Sequence, residues 1–282
     1  MVTALKEITV AHSPDSDDAF MFYALAANKL DTKGLKVNQV LKDIQSLNMD
    51  AMQGVFEVSA ISFACYPQVA DRYALMPCGA SMGLNYGPMV VANAALSREQ
   101  LSQVKLAIPG AMTTAYLVLR LWQPHLDVVE MPFDQILDAV RDGRVDAGLI
   151  IHEGQLTYSE MGLVKVVDLG QWWYDLTGGL PLPLGGNIIR KDLGPDLIRH
   201  ATQLLQDSIR YSLHHRKEAL EYAMQFAREL KREQADKFVG MYVNDLTVDY
   251  GDSGRTALRR LFDMAFENGI IARRIEPEFS TM

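Results

Sequence analysis

The sequence predicts a two-lobed α/β protein, and three observations support this fold class. Its 282 residues exceed what one hydrophobic core usually organises, which favours two domains of roughly 100 to 150 residues each. Short apolar runs alternate with segments of helical spacing, as they do in α/β folds. The order of these elements near the N-terminus returns in the middle of the chain. We therefore expect two similar lobes whose strand ends face each other across a cleft.

The composition is that of an ordinary globular protein. Hydrophobic residues make up 49% and charged residues 22% of the chain, values that exclude an extensively disordered protein. No apolar run approaches the ~18 residues that are needed to span a bilayer. The N-terminal residues MVTALKEITVAHSP lack the basic segment and apolar core of a secretory signal. We therefore expect a cytoplasmic protein with no membrane partner.

Charge and cysteine content narrow the range of partners. The formal net charge is -8 and there is no extended basic cluster, which argues against nucleic acid because phosphate binding needs a concentrated positive face. Neither Cys65 nor Cys78 has a CxxC partner or a histidine at the spacing of a metal site. We expect both thiols to be reduced core residues, and we expect no metal ion.

The first predicted strand and helix flank an acidic loop. Residues Glu7 to Ser13 form an apolar strand that Pro14 ends, and AFMFYALAANKL has apolar residues at helical spacing. Between them lie Asp15, Asp17 and Asp18. Carboxylates at a helix N-terminus commonly cap it. A magnesium site is a second interpretation, and a third is that Asp17 or Asp18 accepts hydrogen bonds from hydroxyl groups of a ligand.

The rest of the first lobe alternates strands and helices. Residues Leu35 to Leu41 predict a strand, and DIQSLNMDAMQG predicts a helix that ends at Gly54. VFEVSAIS predicts a buried strand with Ser59 and Ser62 toward its end. FACYPQVADRY has the pattern of a further helix. The segment from Pro77 to Pro88 is rich in glycine and proline, and it leads into the apolar strand MVVAN. We interpret that strand as the edge of the first lobe and the start of a crossover.

A second lobe is predicted to begin near Ser97, because the order of elements repeats from there. KLAIPG, AMTT and AYLVLRL form a strand, a short polar break and a helix, in the order of TVAHSP, DSDD and AFMFYAL. PFDQILDAVRDG followed by RVDAGLII likewise matches DIQSLNMDAMQG followed by VFEVSAIS. Few residues are identical, so the repeat is one of pattern rather than of sequence.

The strand VDAGLII in the second lobe has a histidine at its end. Apolar and β-branched residues from Val145 to Ile151 predict a strand that is buried on both faces, and His152 follows it. Because the carboxyl ends of strands face the ligand crevice in open α/β sheets, an imidazole at this place is well sited for chemistry. The alternative is that His152 caps the strand and bonds a neighbouring carbonyl group.

The helix start in the second lobe offers a site for an anion. Thr113 and Thr114 precede AYLVLRL. Their hydroxyl groups and the unpaired backbone N–H groups of the first turn can bind a carboxylate. Threonine at a helix start is usually an N-cap, and the two roles are compatible.

The C-terminal third of the chain is predicted to return to the first lobe. LVKVVDLG has the pattern of a strand, and QWWYDLTGGLPLPLGGNIIRKDLG that of an extended crossover able to act as a hinge. From Asp196 the pattern is helical and ends at Asn268–Gly269. The predicted first lobe is therefore discontinuous, 1–96 and 187–282, and the second lobe is 97–186.

The strand ends and helix starts of the two predicted lobes bring together one set of polar residues. These are Asp18, Ser59, Ser62, Thr113, Thr114 and His152. The chain has no GxGxxG or P-loop motif and no paired carboxylates of the glycosidase kind. The sequence thus predicts a ligand site without the signature of a dinucleotide or a nucleoside triphosphate.

Several long stretches resemble one enzyme family. GLIIHEGQLTYSEMGLVKVVDLGQWWYDLTGGLPLPLG, with SPDSDDAFMFYAL, VSAIS and PGAMTTAYL, closely resembles the 1,4-dihydroxy-6-naphthoate synthases of the futalosine route to menaquinone. The resemblance runs over essentially the whole chain. It implies a periplasmic-binding-protein-like (type II) fold with a cleft between two lobes. It also implies a carbon–carbon lyase that cleaves cyclic dehypoxanthinyl futalosine to 1,4-dihydroxy-6-naphthoate.

The resemblance also implies roles for individual residues. It makes His152 the catalytic base. The substrate-binding residues that we expect are Asp18, Ser59, Ala60, Ile61, Ser62, Thr113, Thr114 and Ala115. The first loop departs from the Asn-Asp-Thr form of some family members, since it reads Asp17, Asp18 and Ala19 here. The implied substrate is a small-molecule carboxylate, and the chemistry requires no metal ion or cofactor.

Three other functions fit the same predicted fold. A chorismate dehydratase of the same superfamily would lack the IHE..LTY block that is present here. A non-catalytic solute-binding protein would normally carry a signal peptide or a lipoprotein cysteine. A ligand-sensing regulator would normally be fused to a DNA-binding module. The sequence therefore favours the synthase over these alternatives.

Overall fold

The computed structural model describes residues 6–227 and 230–281, which form a mixed α/β structure. Eleven strands occur in the described part of the chain. In order they are β1 (Lys6–His12), β2 (Leu35–Leu41), β3 (Val58–Ser62), β4 (Tyr73–Leu75), β5 (Ser81–Gly83), β6 (Met89–Ala92), β7 (Lys105–Ile108), β8 (Asp127–Glu130), β9 (Ala147–Ile150), β10 (Val164–Asp168) and β11 (Leu182–Arg190).

Twelve α-helices connect and cover these strands in the described residues. In order they are α1 (Ser16–Ala26), α2 (Ile44–Gln53), α3 (Tyr66–Val69), α4 (Arg98–Leu101), α5 (Thr114–Trp122), α6 (Ile136–Arg141), α7 (Leu169–Thr177), α8 (Pro195–His214), α9 (Arg216–Ala223), α10 (Arg232–Tyr242), α11 (Asp245–Val248) and α12 (Gly251–Glu267). Short 3₁₀ turns add to these, and the one at Glu153–Leu156 directly follows His152.

Two compact units make up the chain. The first comprises Met1–Ser81, Gly185–Gly251 and Pro277–Met282, and the second comprises Met82–Leu184 and Asp252–Glu276. This division groups α12 with the middle of the chain, whereas the predicted first lobe includes it. The predicted lobe bounds stay a prediction.

The sheet of the first unit has the strand order β2-β1-β3-β11-β4. β1 pairs in parallel with β2 and β3, while β11 runs antiparallel to β3 and β4. All five residues of β3 are buried, as expected for a strand covered on both faces. Because β1, β2 and β3 are parallel, their carboxyl ends share one edge, at which His12, Leu41 and Ser62 stand.

Helix α1 lies at the centre of the first unit. It contacts α8, α9 and α10. Most of its surface is therefore buried, and not only one face. Phe20 and Phe22 are fully buried in a cluster that also contains Leu205 and Ile209 of α8. At about 1.5 to 3 kcal/mol per fully buried large apolar side chain, this cluster is a major source of the unit's stability.

The two cysteines are free and buried, as predicted. Burial raises the pKa of the Cys65 thiol and of the Cys78 thiol to about 12. Little thiolate exists at neutral pH at such values, and the thiolate is the nucleophilic and metal-binding form. Neither cysteine is therefore a candidate nucleophile.

The sheet of the second unit has the strand order β10-β6-β9-β7-β8. β7 is parallel to β8 and β9, whereas β6 is antiparallel to β9 and β10. The prediction that MVVAN forms the edge of the first lobe was wrong. Its four strand residues, Met89–Ala92, are all buried. The strand they form, β6, lies between β9 and β10 in the second sheet. An unbroken apolar run fits the interior of a sheet better than an edge, which explains the placement.

Two further assignments differ from the sequence prediction. FACYPQVADRY, predicted to be one helix, ends its helical part at Val69, and Tyr73–Leu75 forms the strand β4. QWWYDLT, predicted to lie in an extended crossover, forms α7 instead. The Asp168 carboxylate caps α7 by accepting from the N–H groups of Gly170 and Gln171 at 2.9 and 3.1 Å. Local capping therefore outweighed the glycine and proline residues that follow.

Among the described residues, no helix combines the length and the apolar character needed to cross a membrane. The helices predicted from Asp196 onward are present as α8 to α12, and α12 ends at Glu267 before Gly269, which has a φ of 67°. Glycine adopts this left-handed conformation without a steric penalty. The predicted stop at Asn268–Gly269 is confirmed.

We predict that Gly170→Ala destabilises the protein more than a glycine substitution in open space. A Cβ at Gly170 would lie 1.9 Å from the Tyr86 carbonyl carbon and 2.3 Å from the Gly87 backbone nitrogen. Because neither backbone atom can move aside cheaply, the free energy of unfolding should fall by about 3 kcal/mol. Gly162→Ala, at a φ of 78° with no atom within 4 Å, should cost only about 1 kcal/mol. Urea denaturation followed by circular dichroism measures both, and equal midpoints for the two variants would contradict the prediction.

Candidate active site

Parallel strands place the predicted site residues of each unit at a carboxyl edge. In the first unit, Ser62 ends β3, and α1, with Asp18 in its first turn, follows the neighbouring strand β1. In the second unit, β7 and β9 pair in parallel, and α5 follows the first of them while His152 follows the second. The general rule that ligands bind outside the carboxyl ends of such strands makes both edges candidate binding surfaces.

Asp18 closes the loop between β1 and α1. One carboxylate oxygen accepts a hydrogen bond from the Ser13 backbone N–H at 2.8 Å, and the Ser13 hydroxyl donates to Asp15 at 3.0 Å. The Asp18 side chain is nearly buried, with 9% of the residue exposed. Asp15 is the N-cap of α1 but its side chain makes no capping hydrogen bond, so these carboxylates hold the loop through Ser13 and do not cap the helix in the way that the sequence suggested. Across the described residues, no cluster of three or more His, Cys, Asp or Glu side chains is placed to hold a metal ion.

The four predicted residues of β3 lie on opposite faces of the sheet. Neighbouring side chains of a strand alternate in direction, so Ala60 and Ser62 share one face while Ser59 and Ile61 share the other. Ala60 packs with Leu47 of α2 on its face. The Ser59 hydroxyl donates to the backbone oxygen of Ala60 at 3.0 Å. A ligand on one face of the strand can therefore meet the side chains of only one of these pairs.

Two residues at the same edge were not predicted from the sequence. Asn48 of α2 is fully buried and bonds Ser62 twice, as described below. His12 ends β1, is 2% exposed and stacks on Phe22 with a ring centroid distance of 4.2 Å. The signal that singled out His152, a histidine at the end of a buried strand, was also present for His12 in EITVAHS.

The hydroxyl protons of both threonines at the start of α5 go to backbone carbonyl groups. Thr113 donates to the Gly110 oxygen at 2.8 Å and accepts from the Tyr116 N–H at 3.3 Å, so it is the N-cap. Thr114 donates to the Leu184 oxygen at 2.5 Å. With both hydroxyl protons used, the donors that α5 offers to an anion are backbone N–H groups of its first turn.

Both ring nitrogens of His152 have partners, and these partners determine its protonation state. Nδ1 lies 3.0 Å from the Gly154 backbone nitrogen, which carries a proton, so Nδ1 accepts. Nε2 lies 3.1 Å from the Phe133 carbonyl oxygen, so Nε2 donates. The ring is therefore the neutral tautomer with its proton on Nε2. It is 8% exposed and meets the Phe133 ring edge to face at a centroid distance of 5.4 Å.

The His152 contacts combine features of both interpretations made from the sequence. The ring caps the 3₁₀ turn at Glu153–Leu156 and bonds a neighbouring carbonyl, as the structural interpretation requires. The neutral tautomer is also the form that a general base needs. For proton transfer, the Gly154 N–H must first leave Nδ1, because that nitrogen holds the lone pair of the ring.

Comparisons with known proteins identify the family of this chain. A family model described as menaquinone biosynthesis matches residues 8–267. The chain belongs to the menaquinone biosynthesis family.

Two curated relatives of this family member carry the same name, 1,4-dihydroxy-6-naphtoate synthase. The protein from Thermus thermophilus is 40% identical over 275 residues, which cover 98% of this chain and 100% of the relative. The protein from Streptomyces coelicolor is 36% identical over 273 residues, which cover 94% of each chain. The sequence similarity to both relatives therefore spans almost the whole chain and is not confined to one motif.

Solved structures confirm the predicted periplasmic-binding-protein-like fold. A protein from Archaeoglobus fulgidus is 46% identical and superposes with a TM-score of 0.90, covering 94% of this chain and 98% of that one. The alkanesulfonate-binding protein of Xanthomonas axonopodis pv. citri has a TM-score of 0.71 at 10% identity, covering 96% of each chain. A Candida albicans protein described as having the generic periplasmic binding protein fold also scores 0.71, at 13% identity and with 99% and 98% coverage.

Gly154 has no side chain, and this leaves room for the His152 ring. A Cβ at Gly154 would lie 2.7 Å from Cε1 of His152 and 2.5 Å from Cδ1 of Leu137. Either the imidazole or the leucine would have to move. The glycine therefore lets the backbone N–H reach Nδ1 while the ring stays packed.

We predict that nitrogen NMR of histidine-labelled protein shows His152 as the Nε2–H tautomer at neutral pH. Gly154→Ala should shift both ring nitrogen resonances, because the added methyl group pushes the ring away from the Gly154 N–H. Gly143→Ala, in open space at a φ of 69°, should leave them unchanged. An Nδ1–H tautomer in the unmodified protein would refute the assignment.

Proposed function

We propose that this protein is a 1,4-dihydroxy-6-naphthoate synthase, a carbon–carbon lyase that converts cyclic dehypoxanthinyl futalosine to 1,4-dihydroxy-6-naphthoate. The observation that carries the proposal is its full-length identity of 40% to a relative of that name. The family match to menaquinone biosynthesis supports it. The cytoplasmic location expected from the sequence belongs to the same proposal.

The reaction needs three things from the protein. Breaking a carbon–carbon bond to form an aromatic ring requires a base that removes a proton from carbon, donors for the oxyanion that forms, and exclusion of water. We assign the base to His152. The proposed substrate-binding residues are Asp18, the β3 residues from Ser59 to Ser62 and the α5 start from Thr113 to Ala115. Of the β3 residues, one pair would bind through its side chains and the other through its backbone groups.

The His152 contacts support a specific sequence of events at the imidazole. Nδ1 takes the proton from substrate carbon after the Gly154 N–H has moved away, and the ring becomes an imidazolium. The Phe133 carbonyl continues to accept from Nε2, which holds the ring orientation and favours the positive charge. A carbonyl or carboxylate behind a catalytic histidine performs this task in other enzymes.

The start of α5 is the proposed site for the substrate carboxylate. Its first-turn N–H groups point out of the helix, and the helix dipole contributes on the order of 0.3 to 2 kcal/mol to a nearby anion. The bond from Thr114 to Leu184 fixes the position of this helix start. We therefore assign the threonine hydroxyl groups to positioning and the backbone to binding.

The proposal is tested by incubating purified protein with cyclic dehypoxanthinyl futalosine and following the naphthoate by mass spectrometry. Formation of 1,4-dihydroxy-6-naphthoate is the expected result. Chorismate in a parallel reaction tests the sister enzyme of the superfamily. Dehydration of chorismate with no turnover of the futalosine derivative would overturn the proposal.

We predict that Thr114→Val raises KM for the substrate and for its carboxamide analogue by the same factor. The Thr114 proton goes to Leu184, so valine displaces the helix start and does not remove a direct ligand contact. The unmodified protein should nevertheless bind the carboxylate about 2- to 30-fold more tightly than the carboxamide, since only the carboxylate carries the charge that α5 favours.

Steady-state kinetics with both compounds separates the two effects of this substitution. Thr114→Ser, which keeps the hydroxyl group, is the matched control and should retain a KM near that of the unmodified protein. A Thr114→Val variant that discriminates less between carboxylate and carboxamide would show that the hydroxyl group binds the carboxylate itself.

We predict that His152→Gln lowers kcat by about 10² to 10⁴ with little change in KM, the range expected for loss of a positioned base. The kcat of the unmodified enzyme should fall at acidic pH, because protonated His152 cannot accept a proton. His125→Gln, which alters a histidine outside the proposed site, is the control. A folded His152→Gln variant that binds substrate and turns over within a few-fold of the unmodified protein would leave His152 as a cap only.

A further inference from the structure

The side chain of Asn48 clamps Ser62 from two sides. Its Oδ1 accepts from the Ser62 backbone N–H at 2.9 Å, and its Nδ2 donates to the Ser62 hydroxyl oxygen at 3.2 Å. The residues are 14 positions apart, and they connect α2 to the carboxyl end of β3. Asn48 is 0% and Ser62 4% exposed.

The orientation of the Asn48 amide follows from these contacts. A backbone N–H can only donate, so the amide atom facing it must be the oxygen. The amide nitrogen then faces the Ser62 hydroxyl, whose oxygen must accept. The proton of that hydroxyl group is therefore directed away from Asn48. Among the described residues, the structure shows no hydrogen bond that the Ser62 hydroxyl donates.

We propose that Asn48 is a positioning residue, which holds the Ser62 hydroxyl as a hydrogen-bond donor to a carboxylate or carbonyl oxygen of the substrate. This inference rests on the proposed function, in which Ser62 binds substrate. Asn48 acts through Ser62 and does not touch the substrate. Its amide fixes both the position of the serine backbone and the direction of the hydroxyl proton.

A purely structural role for Asn48 predicts a different outcome. The same two bonds join α2 to β3, and the Asn48 backbone oxygen also accepts from the Cys65 thiol, with a sulfur to oxygen distance of 3.7 Å. If joining the two elements were the whole role, replacing Asn48 would lower stability and would affect substrate binding in the same way with or without the Ser62 hydroxyl.

Asn48→Asp reverses the hydrogen bond without changing the shape of the side chain. The carboxylate retains an acceptor for the Ser62 N–H, but its second oxygen accepts the hydroxyl proton that the substrate would otherwise receive. KM should rise roughly tenfold or more, the loss expected for a hydrogen bond to a charged group. Ser62→Ala should raise KM by a similar factor, with kcat reduced less than KM is raised.

A double-mutant cycle shows whether Asn48 acts through Ser62. In the Ser62→Ala background, Asn48→Asp should raise KM no further, because the hydroxyl group that it misdirects is gone. Ser208→Ala is the matched control for loss of a buried serine hydroxyl in the same unit, since Ser208 donates to the Met21 oxygen at 2.7 Å. It should lower stability and leave KM unchanged.

The pH dependence of KM gives a readout that a structural role would not move. As pH falls, the carboxyl group of the Asn48→Asp variant gains a proton and can again donate to the Ser62 oxygen. The ratio of its KM to that of the unmodified enzyme should therefore fall toward one at acidic pH. A ratio that stays constant across the pH range would count against the proposed role.

Asn48→Ala keeps the test decisive if the buried carboxylate prevents folding. It removes both bonds without adding charge, and its effect on KM should also disappear in the Ser62→Ala background. Additive losses in an active enzyme would overturn the positioning role and leave the synthase assignment intact. Absence of naphthoate from the unmodified protein would instead count against the proposed function.

Discussion

Burial of β3 and β9 on both faces is the constraint on which the candidate site depends. All residues of these two strands are buried, so a polar group within or just beyond them must find a partner inside the protein or cost about 1 to 3 kcal/mol. Ser62 meets this requirement through Asn48, and His152 meets it through Gly154 and Phe133. Polar side chains collect at the strand ends because these are the first positions at which such partners are available.

This constraint also affects how a ligand can bind. The Asp18 and His152 side chains each have protein partners. In the proposed reaction, a substrate that bonds either side chain must replace its present bond, and such an exchange yields little net free energy unless the new bond is charged or better aligned. Affinity then comes mainly from the substrate's charge and from apolar burial, while a compound that breaks the internal bonds without replacing them is rejected. Such a site favours specificity over raw affinity.

Much of the fold could be predicted from local patterns. The apolar spacing of AFMFYAL, the unbroken run VSAIS and the glycine after α2 each describe one element, and α1, β3 and the left-handed Gly54 occur as predicted. The errors arose where the position of an element depends on distant parts of the chain. MVVA pairs inside the second sheet, a position that depends on β9 and β10 rather than on its own residues.

The candidate site shows the same division. Residue type and position at a strand end were enough to select His152, Ser62 and the α5 start. Asn48 could not be selected this way, because it lies in the middle of a helix with an ordinary amphipathic pattern, and its partner is defined only once α2 packs on β3. The Nε2–H tautomer of His152 likewise depends on the carbonyl group of Phe133, which lies 19 residues earlier in the chain, just after β8. Pairwise polar contacts between elements are what the sequence pattern leaves out.

The turn that carries Gly154 makes the proposed release of Nδ1 a local event. Within it the Gln155 N–H donates to the His152 oxygen at 3.0 Å, and the Thr157 N–H to the Gly154 oxygen at 3.1 Å. Neither bond uses the Gly154 N–H, so a rotation that frees Nδ1 breaks one hydrogen bond and leaves the turn intact. Because the buried Gly154 N–H loses its acceptor, this release costs about 1 to 3 kcal/mol, which substrate binding can supply. In the proposed reaction, the capped histidine and the catalytic base are therefore two states of one ring, separated by a small local motion.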